Sequence, residues 1–387
     1  MFKIKTLNKI ANEGLSLLDD KYQIVEEDQV DAIILRSFKM HDFEMPDSLE
    51  SIARAGAGTN NVPVDKCSEK GIVVFNTPGA NANGVKELVI AGLLMSSRDI
   101  PGSLDFAKSL ADKGDEVPKL VESGKGAFVG PEIQGKTLGV IGLGAIGVLV
   151  ANAAENLGMT VLGFDPFISV DAAWGLSRKI GKAISVEEVY AKADYITVHV
   201  PLMDATKGMI GTDSLALMED GVKILNFSRA ELIDDDAIEA AIKSGKVSKY
   251  VTDFPNAKTI AMDNVICIPH LGASTPESEI NCAIMAVEQT KDYIENGNIK
   301  NSVNYPNCDM GICQSSGRIA INHKNIRNML GQISTVLAGK NFNIVDMINK
   351  SKGEVAYTLL DVEDEVTEEV VNALIAIDGI VKVRVIK

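Results

Sequence analysis

Apolar runs of strand length alternate with helix-length segments along most of the chain. Among the first hundred residues, positions 33–35 and 72–75 predict buried strands, and positions 85–95 predict an apolar helix. This alternation is typical of a parallel α/β unit. A polar, Gly-rich region at 97–135 then precedes a second alternation that starts at Lys136, so we predict two separate units of this class.

The second unit continues the same pattern as far as Gly297. Its predicted strands are 137–141, 159–164, 195–198, 222–227, 249–252 and 265–268, and its predicted helices are 145–157, 234–244 and 276–296. The helix at 234–244 has acidic residues in its first turn and a lysine near its end, which is the arrangement that the helix dipole favours.

The last part of the chain follows a different order of elements. A region rich in Asn, Cys, Gly and Ser precedes it. The strands and helices predicted after that region are 318–322, 328–338, 344–349, 355–362, 367–377 and 380–386. Their order, βαββαβ, is ferredoxin-like. The predicted fold class is therefore α/β, with two Rossmann-like doubly wound parallel-sheet domains and a C-terminal ferredoxin-like domain.

A glycine motif joins the first strand and helix of the second unit. Gly142, Gly144 and Gly147 have G-x-G-x-x-G spacing, and Asp165 ends the next strand. In a dinucleotide site these glycines allow a tight turn, close approach of a pyrophosphate, and close packing of helix on strand. Asp165 suits two ribose hydroxyls and would repel a 2′-phosphate, so we expect NAD. The alternative is a doubly wound domain that binds no nucleotide.

Composition narrows the class of partner. The net charge of −15 over 387 residues disfavours nucleic acid, since an acidic surface repels phosphate backbones. No signal pattern or membrane-length apolar run is present, so we expect a cytoplasmic protein. The five cysteines have no metal-ligand spacing, and we expect no metal site and reduced thiols.

Transfer of a hydride from a hydroxy acid needs a base for the hydroxyl proton and a cation for the carboxylate. Histidine and arginine are suited to these two tasks. His270 follows the predicted strand 265–268, at a strand end where open α/β sheets hold ligands, and it can exchange a proton near neutral pH. Arg229 follows the strand 222–227 and could clamp a carboxylate, or it could form a surface ion pair with Asp234 or Asp235. His199, at a third strand end, is expected to be structural.

Several motifs together resemble one family. GLGAIG with Asp165, then HVPL, NFSRAELID, TDFP and PHLGAST, are similar in order and spacing to the D-isomer-specific 2-hydroxyacid dehydrogenases. The resemblance implies that Arg229 binds the substrate carboxylate and that His270 is the catalytic acid–base. It also implies cofactor contacts by the glycine motif and by Ala145, Ile146, Asp165, Val200, Pro201, Phe227, Ser228, Arg229, Asp253, His270, Gly272 and Ala273.

The resemblance also implies how the domains are organised. The substrate-binding domain would be discontinuous, built from residues 1–98 and 278–305, and the NAD-binding domain would span 99–277. A linker at 306–317 would lead to a terminal domain at 318–387.

One family feature is absent. Members usually carry a glutamate shortly after the nicotinamide-side aspartate, and it partners the catalytic histidine; here that position falls near Lys258. Asp253, Glu87 or Glu279 could serve instead, or His270 could work with less support. A nearby lysine would disfavour the imidazolium.

The substrate is expected to be a small phosphorylated hydroxy acid. The phosphoglycerate-oxidising members of the family place an Arg-Ser pair where this chain has Arg36 and Ser37. Asn81 matches a further substrate contact of those members, and the backbone of Ala57 and Gly58 is expected beside the substrate carboxylate. Lys39, just beyond Ser37, would add positive charge to the pocket. Without the resemblance, Arg36 and Lys39 could equally be ordinary basic surface. Oxidation of another D-2-hydroxy acid, such as 2-hydroxyglutarate or glycerate, and a catalytically weak NAD-sensing protein remain alternatives.

The terminal domain resembles an ACT module, a regulatory amino-acid-binding fold. In serine-inhibited members of the family, the residues that hold serine fall on His323, Asn325 and Asn343. The alternative is a domain that only oligomerises. In either case the resemblance implies a symmetric homodimer or homotetramer.

Overall fold

The computed structural model describes residues 1–387, which form two compact units. Unit 1 comprises Met1–Asn81 and Pro276–Lys387, and unit 2 comprises Ala82–Thr275. No helix combines the length and apolarity that a membrane span requires.

The N-terminal part of unit 1 is a five-stranded sheet. Its elements are β1 (Phe2–Leu7), α1 (Asn12–Leu15), β2 (Tyr22–Ile24), β3 (Ala32–Leu35), β4 (Ser51–Arg54), α2 (Val64–Glu69) and β5 (Val73–Phe75). All pairs are parallel, in the order β2-β1-β3-β4-β5. Successive residues of β3 alternate between two apolar cores, which explains why the strand is continuously apolar in sequence.

Unit 2 contains the larger sheet. Its helices are α3 (Ala82–Ser97), α4 (Ile100–Ser109), α5 (Val117–Gly124), α6 (Ala145–Asn156), α7 (Val170–Gly175), α8 (Val186–Lys192), α9 (Thr212–Leu217), α10 (Asp235–Lys243) and α11 (Ala257–Ala261). Three short 3-10 helices, Gly114–Glu116, Lys125–Phe128 and Ala230–Leu232, complete the helical elements. The strands are β6 (Thr137–Ile141), β7 (Thr160–Phe164), β8 (Gly181–Lys182), β9 (Tyr195–Val198), β10 (Val222–Asn226), β11 (Val247–Thr252) and β12 (Val265–Cys267).

The strand order of unit 2 creates the crevice in which such sheets bind ligands. All seven strands are parallel, in the order β12-β11-β10-β9-β6-β7-β8. The connections leave β6 in opposite directions, to β7 on one side and eventually to β9 on the other. This reversal beside β6 is a topological switch point, and ligands bind at the carboxyl ends of the strands there.

The boundary between the units differs from the sequence-based one. Val85, Val89 and Leu93 of α3 share an apolar core with Leu138 and Val140 of β6. Helix α3 therefore belongs to unit 2, and the break falls at Asn81/Ala82 rather than after residue 98. The second break, at Thr275/Pro276, precedes the long helix instead of cutting into it.

The rest of unit 1 is one long helix and an antiparallel sheet. The elements are α12 (Pro276–Asn296), β13 (Gly317–Lys324), α13 (Met329–Gly339), β14 (Ile344–Lys352), β15 (Val355–Val362), α14 (Glu368–Ile375) and β16 (Ile380–Val385). The strand order is β14-β15-β13-β16, as expected for βαββαβ. Residues 306–317, expected as a linker, carry the buried Cys308 and Cys313, so part of this segment is packed against the fold.

The terminal sheet is packed on both faces. One face buries α13 and α14, through residues such as Ile333 and Leu374. On the other face, Tyr357 and Leu359 join the core that contains Tyr293 of α12. The terminal sheet and the N-terminal sheet of unit 1 therefore share a single apolar core.

Candidate active site

The three glycines of the motif have different surroundings. Gly142 adopts φ +92°, and a Cβ there would lie 2.4 Å from the carbonyl oxygen of His199. A Cβ on Gly147 would lie 1.9 Å from the carbonyl oxygen of Gly142. A Cβ on Gly144 would meet nothing within 4 Å. The fold itself therefore requires the first and third glycines, whereas the second borders open space at the N-terminus of α6.

Asp165 is tied to this loop. Its carboxylate accepts hydrogen bonds of 2.8 Å from the backbone N–H groups of Leu143 and Phe167. Each carboxylate oxygen retains a further lone pair, so ribose hydroxyls can be held without breaking these contacts. The first N–H groups of α6 have no partner one turn earlier in the helix. The loop, the helix terminus and Asp165 together fit the adenosine and pyrophosphate parts of a dinucleotide.

Arg229 and His270 both lie beside one aromatic ring. The guanidinium carbon of Arg229 is 6.0 Å from the ring centroid of Phe254, and the imidazole centroid of His270 is 4.6 Å from it. Both side chains are exposed. Arg229 donates only to the carbonyl of Ser228, at 2.6 Å, and forms no ion pair with Asp234 or Asp235. The guanidinium thus has donors available for an anion.

Asp253 is the carboxylate of this cluster. Its side chain is 2 % exposed, and its Oδ1 has no hydrogen-bond partner. Burial raises the pKa of Asp253 to about 6, although the charges of His270 and Arg229 act in the opposite direction. The three groups are therefore close enough to interact electrostatically.

Other candidate partners of His270 are engaged elsewhere. Glu87 contacts Asn83 at 2.9 Å on its own helix. The ammonium group of Lys258 pairs with Asp236 and, at 3.3 Å, with Glu239. Glu279 pairs with Arg36. Within unit 2, Asp253 is thus the carboxylate whose charge is coupled to His270.

The remaining predicted cofactor residues lie at strand ends of unit 2. Ser228 donates to the carbonyl of Val198 at 2.8 Å, which joins the loops after β9 and β10. Val200 packs beside Gly142, and the carbonyl of Pro201 accepts from Thr206. Two further positions are close-packed against α3, namely Phe227 beside Gly92 and Gly272 beside Val85. Ala145 and Ile146 begin α6, and Ala273 is half-buried in the loop after His270.

His199 has the structural surroundings expected for it. One ring nitrogen, Nε2, contacts Thr197 at 3.0 Å, and the other is buried without a partner. Burial lowers the pKa of His199 to about 4. The ring is therefore neutral near physiological pH.

The predicted substrate side chains lie at the carboxyl ends of β3 and β4 in unit 1. Arg36 follows β3 and forms an ion pair of 2.6 Å with Glu279, in the first turn of α12. Ser37 donates its backbone N–H to Asn8, and the carbonyl of Ala57 accepts from Asn76. Lys39 is exposed, whereas Gly58 and Asn81 are half-buried.

A second arginine lies at the same edge of the N-terminal sheet and was not predicted as a site residue. Arg54 ends β4, and its Nε donates to the carbonyl oxygen of Arg36 at 3.1 Å. Burial lowers the pKa of Arg54, and the charge of Arg36 lowers it further. The sequence signal that could have found Arg54 was its position, because Arg54 is the last residue of β4 and Arg36 directly follows β3.

The chain is similar in sequence to known proteins of one family. Residues 103–272 match the model of the D-isomer specific 2-hydroxyacid dehydrogenase NAD binding domain. The D-3-phosphoglycerate dehydrogenase of Haemophilus influenzae is 30% identical over 340 residues, covering 85% of this chain and 79% of the relative. The chain belongs to the D-isomer-specific 2-hydroxyacid dehydrogenase family. It carries this family's NAD-binding domain.

Other relatives and solved structures show how much of the chain is similar to known proteins. The D-3-phosphoglycerate dehydrogenase of Archaeoglobus fulgidus is 34% identical, covering 74% of this chain but only 54% of the relative. The NAD+-bound 3-phosphoglycerate dehydrogenase of Entamoeba histolytica covers 78% of this chain and 98% of its own, with a TM-score of 0.60 and 27% identity. D-mandelate dehydrogenase of Rhodotorula graminis, at 23% identity and TM-score 0.64, shares the fold.

The residues predicted for an effector differ in accessibility. In this chain His323 is buried, and its ring nitrogens contact Thr358 at 2.9 Å and the carbonyl of Lys324 at 2.8 Å. Burial lowers the pKa of His323. Asn325 and Asn343 are exposed. The asparagine side chains are thus exposed, although the amide of Asn325 donates to the carbonyl of Gly353 at 3.0 Å, whereas the imidazole is buried.

Proposed function

We propose that this dehydrogenase oxidises 3-phospho-D-glycerate to 3-phosphooxypyruvate with NAD, the first step of L-serine biosynthesis. The observation that carries the proposal is the placement of Arg229, Asp253 and His270 around Phe254, at the strand ends of an NAD-binding sheet. The names of the relatives, and the two arginines Arg36 and Arg54 at strand ends of unit 1, support a phosphorylated substrate.

The protein's own groups would divide the work as follows. His270 takes the proton from the substrate hydroxyl, because a neutral imidazole accepts protons near neutral pH. Arg229 holds the substrate carboxylate through its free N–H donors and opposes the charge that develops on the reacting oxygen. NAD, held by the glycine loop and Asp165, supplies the hydride acceptor.

Asp253 replaces the glutamate that the family usually provides. When ionised, it stabilises the imidazolium that forms as His270 takes the proton. With a pKa of about 6, Asp253 is mostly ionised at pH 7 and above. We therefore propose that turnover rises with pH between about 5 and 7, as Asp253 loses its proton.

Alanine substitution at the two catalytic positions tests the proposal. His270→Ala removes the base and should lower kcat by about 10²- to 10⁴-fold. Arg229→Ala removes the carboxylate clamp and should lower kcat/KM by about 10²-fold or more. Both variants should bind NAD nearly as the wild type does, measured by fluorescence or calorimetric titration. Arg178→Ala, an exposed arginine of the same unit, is the control. Near-normal rates in either catalytic variant would show that the roles are misassigned.

The identity of the substrate is decided by a panel of 2-hydroxy acids. 3-Phosphoglycerate should be oxidised with the highest kcat/KM, ahead of 2-hydroxyglutarate, glycerate and lactate. Preference for an unphosphorylated acid would replace the proposed substrate within the same family. Tight NAD binding without NADH formation from any acid would favour an NAD-sensing protein instead.

We further propose that the terminal βαββαβ domain is an ACT module that binds serine through Asn325 and Asn343. Their exposure at the turns of the domain supports this assignment. The same substrate panel, run with and without millimolar serine, tests the idea. An unchanged rate with serine would leave the domain a structural or oligomerising role.

A further inference from the structure

The backbone that carries Arg36 is fixed on both sides. The side-chain oxygen of Asn8 accepts the N–H groups of Ser37, at 3.1 Å, and Phe38, at 2.6 Å. The side-chain amide of Asn61 donates to the carbonyl oxygen of Arg36 at 3.1 Å. The loop after β3 is thus held by side chains, so what the guanidinium contacts depends on its own rotamer.

A second guanidinium lies against this loop. Arg54 donates to the carbonyl of Arg36, and a Cβ on Gly56 would lie 1.9 Å from its Nη1. Two like charges are therefore held near each other at the ends of adjacent strands. Such an arrangement costs free energy unless an anion lies nearby.

The anionic group that pairs with Arg36 is a carboxylate of the chain itself. Glu279 Oε1 lies 2.6 Å from Arg36 Nη1, and the two side chains are 47% and 39% exposed. No other ion pair involves Arg36 or Arg54. An ion pair this exposed contributes little to folding stability. Its main effect is to place a negative charge where an anionic substrate group would bind.

We infer that Glu279 is a specificity-determining residue that occupies the Arg36 guanidinium and competes with incoming anions for it. An anionic group of the substrate must displace the carboxylate before it can bind Arg36. The carboxylate also repels that group at close range, so the pocket accepts a dianion less readily than two unpaired arginines would. The part of this inference that concerns the substrate rests on the proposed function, whereas the part that concerns anion binding at Arg36 does not.

Removing the carboxylate charge tests the inference directly. Inorganic phosphate is titrated by calorimetry into the full-length, NAD-loaded protein and its variants. Glu279→Gln should bind phosphate about 3- to 10-fold more tightly than the wild type, because one opposing charge is gone. The difference should shrink at high salt, since the pair is exposed. Glu277→Gln, in the same turn of α12, is the matched control and should change the affinity much less.

A double variant separates competition for Arg36 from the general effect of removing one negative charge. Arg36→Ala should weaken phosphate binding, and adding Glu279→Gln to it should tighten binding less than Glu279→Gln does in the wild type, because the competition for Arg36 is gone and only the direct repulsion is relieved. With substrates, Glu279→Gln should raise the ratio of kcat/KM for 3-phosphoglycerate to that for D-lactate by a similar factor. Glu279→Ala should change both measurements in the same direction.

Several outcomes would overturn the inference. These are no gain in phosphate affinity for Glu279→Gln, an equal gain for Glu277→Gln, or no phosphate binding by any form. If the wild type does not oxidise 3-phosphoglycerate, the proposed function fails, yet the phosphate titration still decides the role of Glu279.

Discussion

Two clusters of charged side chains, one in each unit, differ in whether their charges are paired. In unit 2, Arg229 and His270 are exposed without ion pairs, and Asp253 is buried without a hydrogen-bond partner for Oδ1. In unit 1, Arg36, Arg318 and Arg384 each pair with a carboxylate, at 2.6 Å in every case. The cluster of unit 2 leaves its charges unpaired, whereas these three arginines of unit 1 are paired with carboxylates of their own unit.

The difference has a physical basis. A buried carboxylate without a partner costs folding free energy, and unit 2 retains one beside the groups proposed for catalysis. In unit 1 the terminal sheet packs on both faces, so polar residues of its strands become buried. Arg384 pairs with Glu50 and lies 4.3 Å from the ring centroid of Tyr293. The pairing compensates for burial, which is the condition under which such charges are tolerated.

The largest stability effect is expected at the pair of Arg318 and Asp361. Their side chains are only 1% and 9% exposed, and Arg318 also donates to the carbonyls of Asn296 and Gly311. Asp361→Asn leaves a buried guanidinium without its carboxylate and should cost about 3–5 kcal/mol of unfolding free energy. Urea denaturation measures the loss.

The exposed pair of unit 1 provides the comparison for Asp361→Asn. Glu279→Gln breaks an ion pair of similar length and should cost about 1 kcal/mol or less. Equal losses for the two variants would show that burial does not control the contribution of these pairs.

The next effect concerns Asp253 and depends on pH. Burial raises the pKa of Asp253 from 3.8 to about 6. As pH rises, the folded state therefore keeps this proton to a higher pH than the unfolded state does. This contribution to stability is complete below about pH 4 and is lost as pH rises through 6. At pH 7–8 the wild type therefore carries a penalty of up to about 3 kcal/mol, taken from about 1.4 kcal/mol per pKa unit.

The matching variant is Asp253→Asn, which removes the charge and keeps the shape. The variant should gain stability relative to the wild type as pH rises from 4 to 8, in calorimetric melting experiments. It should also lose turnover, since the imidazolium of His270 loses its anionic neighbour. A stability difference that does not change with pH would show that Asp253 does not carry the shifted pKa.

These contrasts also show what could be predicted from sequence. The parallel strands and the glycine loop were predictable because burial on both faces produces continuous apolar runs, and because Gly142 and Gly147 are fixed by local backbone geometry. Strands β1, β2 and β4 were missed, since β1 alternates lysine with apolar residues and the other two contain polar residues in place of a continuous apolar run. The partner of Arg36 depends on packing between segments distant in sequence, as does the assignment of α3 to unit 2, and neither leaves a local pattern.

A pair of glycine variants gives the most selective test of unit 2. Gly147→Ala places a methyl group against the carbonyl of Gly142 and should cost about 1–3 kcal/mol through overpacking. Gly144→Ala meets no protein atom within 4 Å, so its unfolding free energy should stay close to that of the wild type. Its methyl group would instead occupy space proposed for the pyrophosphate, so NAD affinity should fall while melting without NAD is unchanged. Calorimetric melting and NAD titration of both variants separate the two roles. Loss of stability in Gly144→Ala would mean that the second glycine serves the fold, and an unchanged NAD affinity would mean that the open space beside it has no part in holding the dinucleotide.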